Sequence, residues 1–509
     1  MKKLTAIAMA LAAALFACSC ASNQPAADNG SSAPKEEAKD VRTDLTLYSD
    51  LEPETMDVDE SVATAVLFRN IYANLYRIDA SNQPVPELAE DYSVNKDFTE
   101  YTFTLKDDLK FSDGSELTAE DVRYTFKRDM KKGMDYFSAI KNVEAPDKKT
   151  VVVTLTEPNN AFLTDVASEH MAVMSKAAIK DGMDVANLPT VTSGAYTVEK
   201  WDKKKHTIKL KANPNFLNGE PAIKDVTLLY KLKGTIYDAM QDGTVDYASN
   251  IPNDSVDIPD LKAADGIDLT PYDNCSWNYI ALNRNKPQYA DDNVRRAIAC
   301  ALDLDYIISS ALDGQGTAAP LIITGAISGY LPGYTDSPYD VKKAKEYLAA
   351  SKYPNGFTMT LEIGDTSGLK VAEAVKTLLK EINIDVKIKE EDGNKLVENA
   401  LTANYDAVFL SYSMYSGNIS HAIPLFGKGD LHICQGDDSD IESRMKKSLA
   451  VGEEERDKLL GEAYTLMREK WPYIGLYWTT VHDAKVANLK LTEPVVSERF
   501  SLSNMYWDQ

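Results

Sequence analysis

The chain of 509 residues is poor in histidine and cysteine, carries more negative than positive charge, and has only one long apolar run. Its five histidines, His170, His206, His421, His432 and His482, show no ligand spacing among themselves, and no His-Glu-x-x-His occurs. The five cysteines are Cys18, Cys20, Cys275, Cys300 and Cys434, with no Cys-x-x-Cys pair, so zinc or dithiol chemistry is not indicated. No Gly-x-Ser-x-Gly elbow and no Gly-x-x-x-x-Gly-Lys-[Ser/Thr] loop are present, which removes the usual serine hydrolase turn and a nucleotide-phosphate cradle. A net charge of −23 argues against nucleic acid or an anionic lipid surface as partner. Past the N-terminal run, no apolar stretch approaches the roughly 20 residues that cross a bilayer. No internal repeat of solenoid or propeller length is visible.

What is there begins at the N-terminus. Lys2 and Lys3 precede an apolar run, Leu4 to Phe16, too short for a membrane span and built like a secretory signal. It ends in Leu15-Phe16-Ala17-Cys18, which resembles a bacterial lipobox and so implies acylation of Cys18; Phe16 is bulkier than usual there. A cleaved, unlipidated signal is the alternative. Residues 19 to 42 are small, polar and proline-containing, with no apolar face to offset their ordering entropy, and read as a flexible tether. The body starts near Leu45. With 44% hydrophobic and 26% charged residues, the chain as a whole suits a globular protein of two or three domains.

Within the body, Tyr101, Phe103 and Leu105 alternate with polar residues as in a half-buried strand, and Thr150 to Thr156 repeats the pattern. Asp113-Gly114 reads as a turn, and Thr118-Ala-Glu-Asp121 as a helix opening with a capping box. Tyr196 to Leu210 reads as a hairpin with a solvated basic tip at Asp202-Lys-Lys-Lys205. Helices are expected after Asp291 and near Asp340. From Phe357 to Tyr412 the pattern is βαβαβ: strands Phe357 to Ile363, Ile384 to Lys389 and Asp406 to Tyr412, with helices Leu369 to Ile382 and Asn394 to Ala403 between them. Such crossovers imply a parallel or mixed sheet with covered faces, and ligands then sit beyond the carboxyl ends of the strands. The loops after Ile363 and after Tyr412 are therefore the candidate cleft walls.

Several short motifs occur together. They are Pro86-Glu-Leu-Ala-Glu90, Phe111-Ser-Asp-Gly-Ser-Glu-Leu-Thr-Ala-Glu-Asp-Val122, Ser193-Gly-Ala-Tyr196, Lys211-Ala-Asn-Pro-Asn-Phe216, Val294-Arg-Arg-Ala-Ile298, Tyr339-Asp-Val-Lys-Lys-Ala344 and Tyr405-Asp406. In this order they resemble family 5 of the bacterial extracellular solute-binding proteins, the oligopeptide, dipeptide and nickel-chelate receptors of ABC importers. By their chemistry these residues are turns, caps and apolar faces; they identify the scaffold and are not taken as ligand contacts.

The resemblance implies an α/β, two-lobed, periplasmic-binding-protein-like fold with a hinge. Lobe I is expected at 43–272 plus 480–509, with a subdomain of about 69–185 inserted in it, and lobe II at 273–479. It implies a non-enzymatic receptor, without cofactor or resident metal, that captures a peptide or peptide-like solute. The receptor, a monomer, closes over the solute and hands it to an ABC permease driven by a separate ATPase. The cell envelope is the expected location, lipid-anchored at the outer face of the cytoplasmic membrane, or periplasmic where an outer membrane exists. Three alternatives remain: a nickel-chelate receptor using His421 or His432, a solute-sensing adaptor, and a secreted hydrolase working through carboxylates alone.

The candidate ligand contacts are Tyr412, Met414, Tyr415 and Asn418, with Trp277 in the first aromatic chain crossing. In peptide-binding relatives the strand after Tyr-Asp runs into Trp-x-x-Asp, whose carboxylate pairs with the peptide amine. Here those places hold Tyr412 and Tyr415, so free peptides are expected to bind less well unless a carboxylate reaches in from elsewhere. Two tyrosines otherwise suit a neutral or aromatic group, a blocked peptide or a small chelate.

Overall fold

The computed structural model describes residues 41–509 apart from 51, 59, 61–64, 134–136, 254, 326, 365, 415–416, 430, 496–500 and 509. The signal, Cys18, nearly all of the tether and Tyr415 lie outside the described residues. Among those described, no helix is long and apolar enough to cross a membrane.

The alternation at Tyr101, Phe103 and Leu105 becomes a strand, Glu100–Leu105, whose inward residues are buried. It pairs with Ala89–Val94 and Thr150–Leu155, and Ile140–Glu144 completes a four-stranded sheet. Helix Ala119–Lys132 covers it, burying Val122 and Phe126. At its start the Asp121 carboxylate reaches back to accept from both the backbone N–H and the hydroxyl of Thr118, each at 3.0 Å. Both halves of the expected capping box are present, the Thr118 side chain accepting from the Asp121 backbone N–H while the Asp121 carboxylate reaches back to Thr118.

A larger mixed sheet carries the rest. Its strands run in the order Ile384–Glu390, Phe357–Ile363, Ala407–Ser413, Ile267–Leu282, Tyr473–Val486, Tyr247–Pro252, Asp44–Tyr48, Asp225–Leu229, Thr207–Ala212 and Tyr196–Asp202. The expected βαβαβ unit is present, with Phe357–Ile363 parallel to both its neighbours. Helix Asp292–Ala301 begins at Asp291, which caps Asn293 N–H, and Val341–Ala349 begins at Asp340.

Two long antiparallel strands, Ile267–Leu282 and Tyr473–Val486, hold the sheet together at its centre. Their register breaks between Asp273 and Trp277. On one side of the break Tyr247–Pro252 pairs with residues 481–485, and on the other Ala407–Ser413 pairs with residues 276–282. Separate apolar clusters lie to either side. One is drawn wholly from residues 277–478. Another joins residues 45–247 to 489–507, where the Trp507 indole N–H donates to Asp44 O at 2.9 Å. A third fills the four-stranded unit.

The motif residues prove to be fold-builders. A Cβ at Gly194 would stand 2.5 Å from Tyr72 N and 2.6 Å from the Ile71 carbonyl carbon, so only glycine fits there. Asp406 accepts from Thr360 N–H at 2.6 Å and from Tyr289 OH at 3.2 Å, stitching two parallel strands.

Candidate ligand-binding site

A cavity of about 660 Å³ opens at the register break, within the size range of small-ligand clefts. Three of its walls are built from strand ends. Asp50 follows Asp44–Tyr48, Asn250, Pro252 and Asn253 end the parallel neighbour, and Gly364 follows Phe357–Ile363. These are carboxyl ends of parallel strands, where an open sheet leaves backbone groups and loop side chains free to face a ligand. The long strands supply the floor through Asn274, Asn278, Tyr477, Thr479 and Thr480. Phe409, Leu410 and Leu396 add apolar surface.

The polar groups of this cavity are of two kinds. Some are already engaged: Asn278 donates to Thr479 Oγ1 at 2.7 Å, and Asn253 donates to Leu312 O at 3.0 Å across the cavity. Others are not. Asp50, Asp313 and Lys370 line the cavity, are solvent-exposed, and enter no ion pair among the described residues. The cavity walls take part of the water from the otherwise exposed Asp50, and this partial desolvation raises its carboxyl pKa above the ordinary value. Two acids and one base thus stand unmatched on one concave surface. Of the two loops that the βαβαβ pattern singles out, the one after Ile363 contributes Gly364, and no described residue of the one after Tyr412 lines the cavity; Lys370 on helix Thr366–Lys380, Asp50 and Asp313 carried no motif that could have singled them out.

The expected contact residues sit elsewhere. Trp277 is 2% exposed, stacks on Tyr279 with ring centroids 4.8 Å apart, and donates its indole N–H to Ala319 O at 3.1 Å. Met414 is fully buried in the same cluster, and Tyr412 donates its hydroxyl to His421 O at 2.6 Å. Asn418 is buried too, and its amide donates to Ala161 O at 3.2 Å and to Asp165 Oδ2 at 2.9 Å. None of these four lines the cavity.

Asn418 belongs instead to a polar joint between the four-stranded unit and the region of the 277–478 cluster. Asp165 also accepts from Asn159 at 2.9 Å and lies 3.4 Å from His421 Nε2. Beside it, Asn160 donates its side-chain amide to Ser448 O and Val451 O, each at 2.7 Å. Its backbone N–H reaches Leu449 O at 2.9 Å, so one asparagine satisfies the carbonyls that end helix Ser439–Ser448. Replacing Asp165 with alanine takes an acceptor away from two buried amides, those of Asn159 and Asn418. A loss of about 1–3 kcal/mol is expected, read as a lower midpoint in denaturant at unchanged slope.

His432, Cys434 and Asp438 bring three potential metal donors within 4.8 Å of one another. The guanidinium of Arg284 fills that space. It forms an ion pair with Asp438 and lies 3.3 Å from His432 Nε2 and 3.4 Å from Cys434 Sγ. A cation is therefore already supplied by the chain, and the donor set does not fit a second one. Burial disfavours charge on His432, but the hydrogen bonds and charge interactions with Asp438, 2.9 Å away, and with Cys434 together outweigh it and raise its pKa to about 9. Burial likewise opposes ionisation of Asp438, and His432 and Arg284 overcome it and lower its pKa.

Residues 83–429 match the family described as bacterial extracellular solute-binding proteins, family 5 Middle. The chain is 26% identical over 477 residues to the glutathione-binding protein GsiB of Salmonella paratyphi A, covering 89% of this chain and 91% of that protein. It is 24% identical over 439 residues to the probable D,D-dipeptide-binding periplasmic protein DdpA of Escherichia coli, covering 82% and 84%. The fold superposes on HbpA2 from Haemophilus parasuis with a TM-score of 0.82 at 21% identity, covering 92% of this chain and all of that one. On the oligopeptide-binding protein AppA of Bacillus subtilis, solved with a nonapeptide, the TM-score is 0.69 at 22% identity, with coverage of 92% and 100%.

Proposed function

The chain belongs to family 5 of the bacterial extracellular solute-binding proteins, and from that premise we propose that it captures short, zwitterionic peptides or peptide-like solutes for an ABC importer. The observation that carries the ligand class is the trio Asp50, Asp313 and Lys370, unmatched on the wall of the cavity. A peptide has an ammonium at one end and a carboxylate at the other; both lose water on entry and need a partner of opposite sign. About 660 Å³ suits a solute of two or three residues. Relatives described as binding glutathione and D,D-dipeptides support the same size and charge pattern.

In this reading, residues 43–272 with 480–509 form lobe I, carrying the inserted subdomain of about 69–185, and residues 273–479 form lobe II. The two long central strands act as the hinge. Trp277, Tyr412, Met414 and Asn418 act beneath the site by holding its strand and loop, and Tyr415 remains a candidate contact. A monomeric receptor would then deliver its load to a permease with a separate ATPase. Calorimetry with reduced glutathione, tri-alanine and their N-acetylated forms tests the ligand class. Tight binding of a free peptide supports it, and heat from neutral solutes alone overturns it.

The envelope location rests on the family and the anchoring on Cys18. Two or three acyl chains at about 0.8 kcal/mol per buried CH₂ hold a protein on a membrane without further help. Cys18→Ala is expected to move the protein from the membrane fraction to the soluble one on fractionation; a variant that stays bound refutes the lipobox reading.

A further inference from the structure

Asp483 lies in the strand Tyr473–Val486, just beyond the register break, and its side chain is buried. Its neighbour strand Tyr247–Pro252 carries an extra residue at this point: Ala248 pairs with Ala484, but Ile251 pairs with His482. The bulge sits at the strand end that reaches the cavity, which Asn250, Pro252 and Asn253 line. Asn250 adopts a left-handed backbone, φ 55°, a conformation that asparagine tolerates but that still has to be held. The Asp483 carboxylate holds it by accepting Asn250 N–H at 2.9 Å. The same carboxylate accepts from Tyr247 OH on the bulged strand and from Tyr272 OH, at 3.0 Å, on the other long strand. One buried acid thus keys three strands at the floor of the cavity.

We infer that Asp483 is a positioning residue for the ligand cavity, fixing the bulge that aims Asn250 and Asn253 at the solute. This rests on the cavity being the ligand site. Burial raises the pKa of this carboxyl to about 6, its three hydrogen bonds opposing that only in part. The protein therefore keeps an acid here whose ionisation weakens the fold, a pattern seen where geometry is held for function. Sign follows directly: with the folded pKa raised, ionised Asp483 lowers stability above about pH 6, while protonation adds a donor among three others and loosens the grip on Asn250. The groups facing it are Tyr247 and Tyr272. Next to it on the strand, burial, with Lys262 nearby, lowers the pKa of His482; Lys485 pairs with Asp268, and Thr480 donates to Asp273.

Asp483→Asn in the full chain keeps the shape but cannot accept from all three donors. For reduced glutathione or tri-alanine, the expected result is an affinity about 5- to 100-fold weaker, with the wild-type weakening below about pH 6 abolished. The thermal midpoint above pH 6 should be unchanged or higher, which a merely structural role would lower. Hydrogen exchange of segment 247–253, measured without ligand between pH 5 and 8, should be faster in the variant at neutral pH and lose its pH dependence. Unaltered exchange and unaltered affinity overturn the inference, as does an affinity loss that only tracks a falling midpoint. A wild-type protein that binds neither probe counts against the ligand class alone, and the exchange measurement still decides Asp483. Should the variant not fold, Tyr272→Phe removes one donor and should move the pH dependence of exchange upward; no movement refutes the role.

Discussion

Asp50→Asn is expected to weaken binding of free-amine peptides by about 30-fold or more. The carboxylate is already stripped of part of its water in the open cavity, and closure over a ligand would desolvate it further. Removing one partner of a desolvated, hydrogen-bonded charge pair costs about 2–5 kcal/mol, which is about 30- to several-thousandfold in affinity. N-acetylation of the peptide should produce a similar loss in the wild type and little further loss in the variant, because both remove the same pair. Calorimetry on the four combinations forms a double-mutant cycle, and additive effects would show that Asp50 does not meet the amine. Asp313→Asn is the control that tells which of the two exposed acids acts.

The second large effect concerns stability. Arg284→Met is expected to lose about 2–3 kcal/mol, since it takes one of two cationic partners from the Asp438 carboxylate, itself inaccessible to solvent, and leaves it only His432. A Cβ built at Gly436 would stand 1.7 Å from the Arg284 guanidinium carbon, so the backbone there is shaped around this side chain. In the wild type, His432 contributes stability that is fully present below the ordinary histidine value of about 6.5 and is lost as pH rises through about 9. Asp438, with its pKa lowered, contributes stability that is present above the ordinary aspartate value and is lost as pH falls through its folded value. Urea titrations across pH should therefore show a plateau bounded on both sides. A variant as stable as the wild type at pH 7 would sink the account of the cluster.

Much of the fold was legible because its signals are local. Period-2 alternation at Tyr101, Phe103 and Leu105, the acid after Thr118, and the spaced apolar runs from Phe357 to Tyr412 each state a preference that neighbouring residues satisfy among themselves. Boundaries slipped by a residue or two where a cap decides them: the helix expected from Asn394 starts at Gly393, because Asp392 caps it. The site was less legible. Tyr412 and Asn418 were read as cleft residues from their loop, yet their polar atoms are used inside the protein, by His421 O and by Asp165. Asp165 is 253 positions away from Asn418, and no local pattern foretells such a bond.

The sequence by itself determined the class of elements, the parallel βαβαβ unit and the scaffold family. These depend on short-range periodicity and on motifs whose residues make turns, caps and close approaches. Only the tertiary structure decided which charges stand unmatched on the wall of the cavity among the described residues. Asp50 and Asp313 are ordinary loop acids in a chain with 78 acidic residues, and Lys370 an ordinary helix lysine. What sets them apart is that strand ends from distant parts of the chain converge on one concavity, which removes water from a carboxylate without giving it a partner. That convergence is a property of long-range register, fixed by the break between Asp273 and Trp277, and it is invisible to any reading that proceeds along the chain.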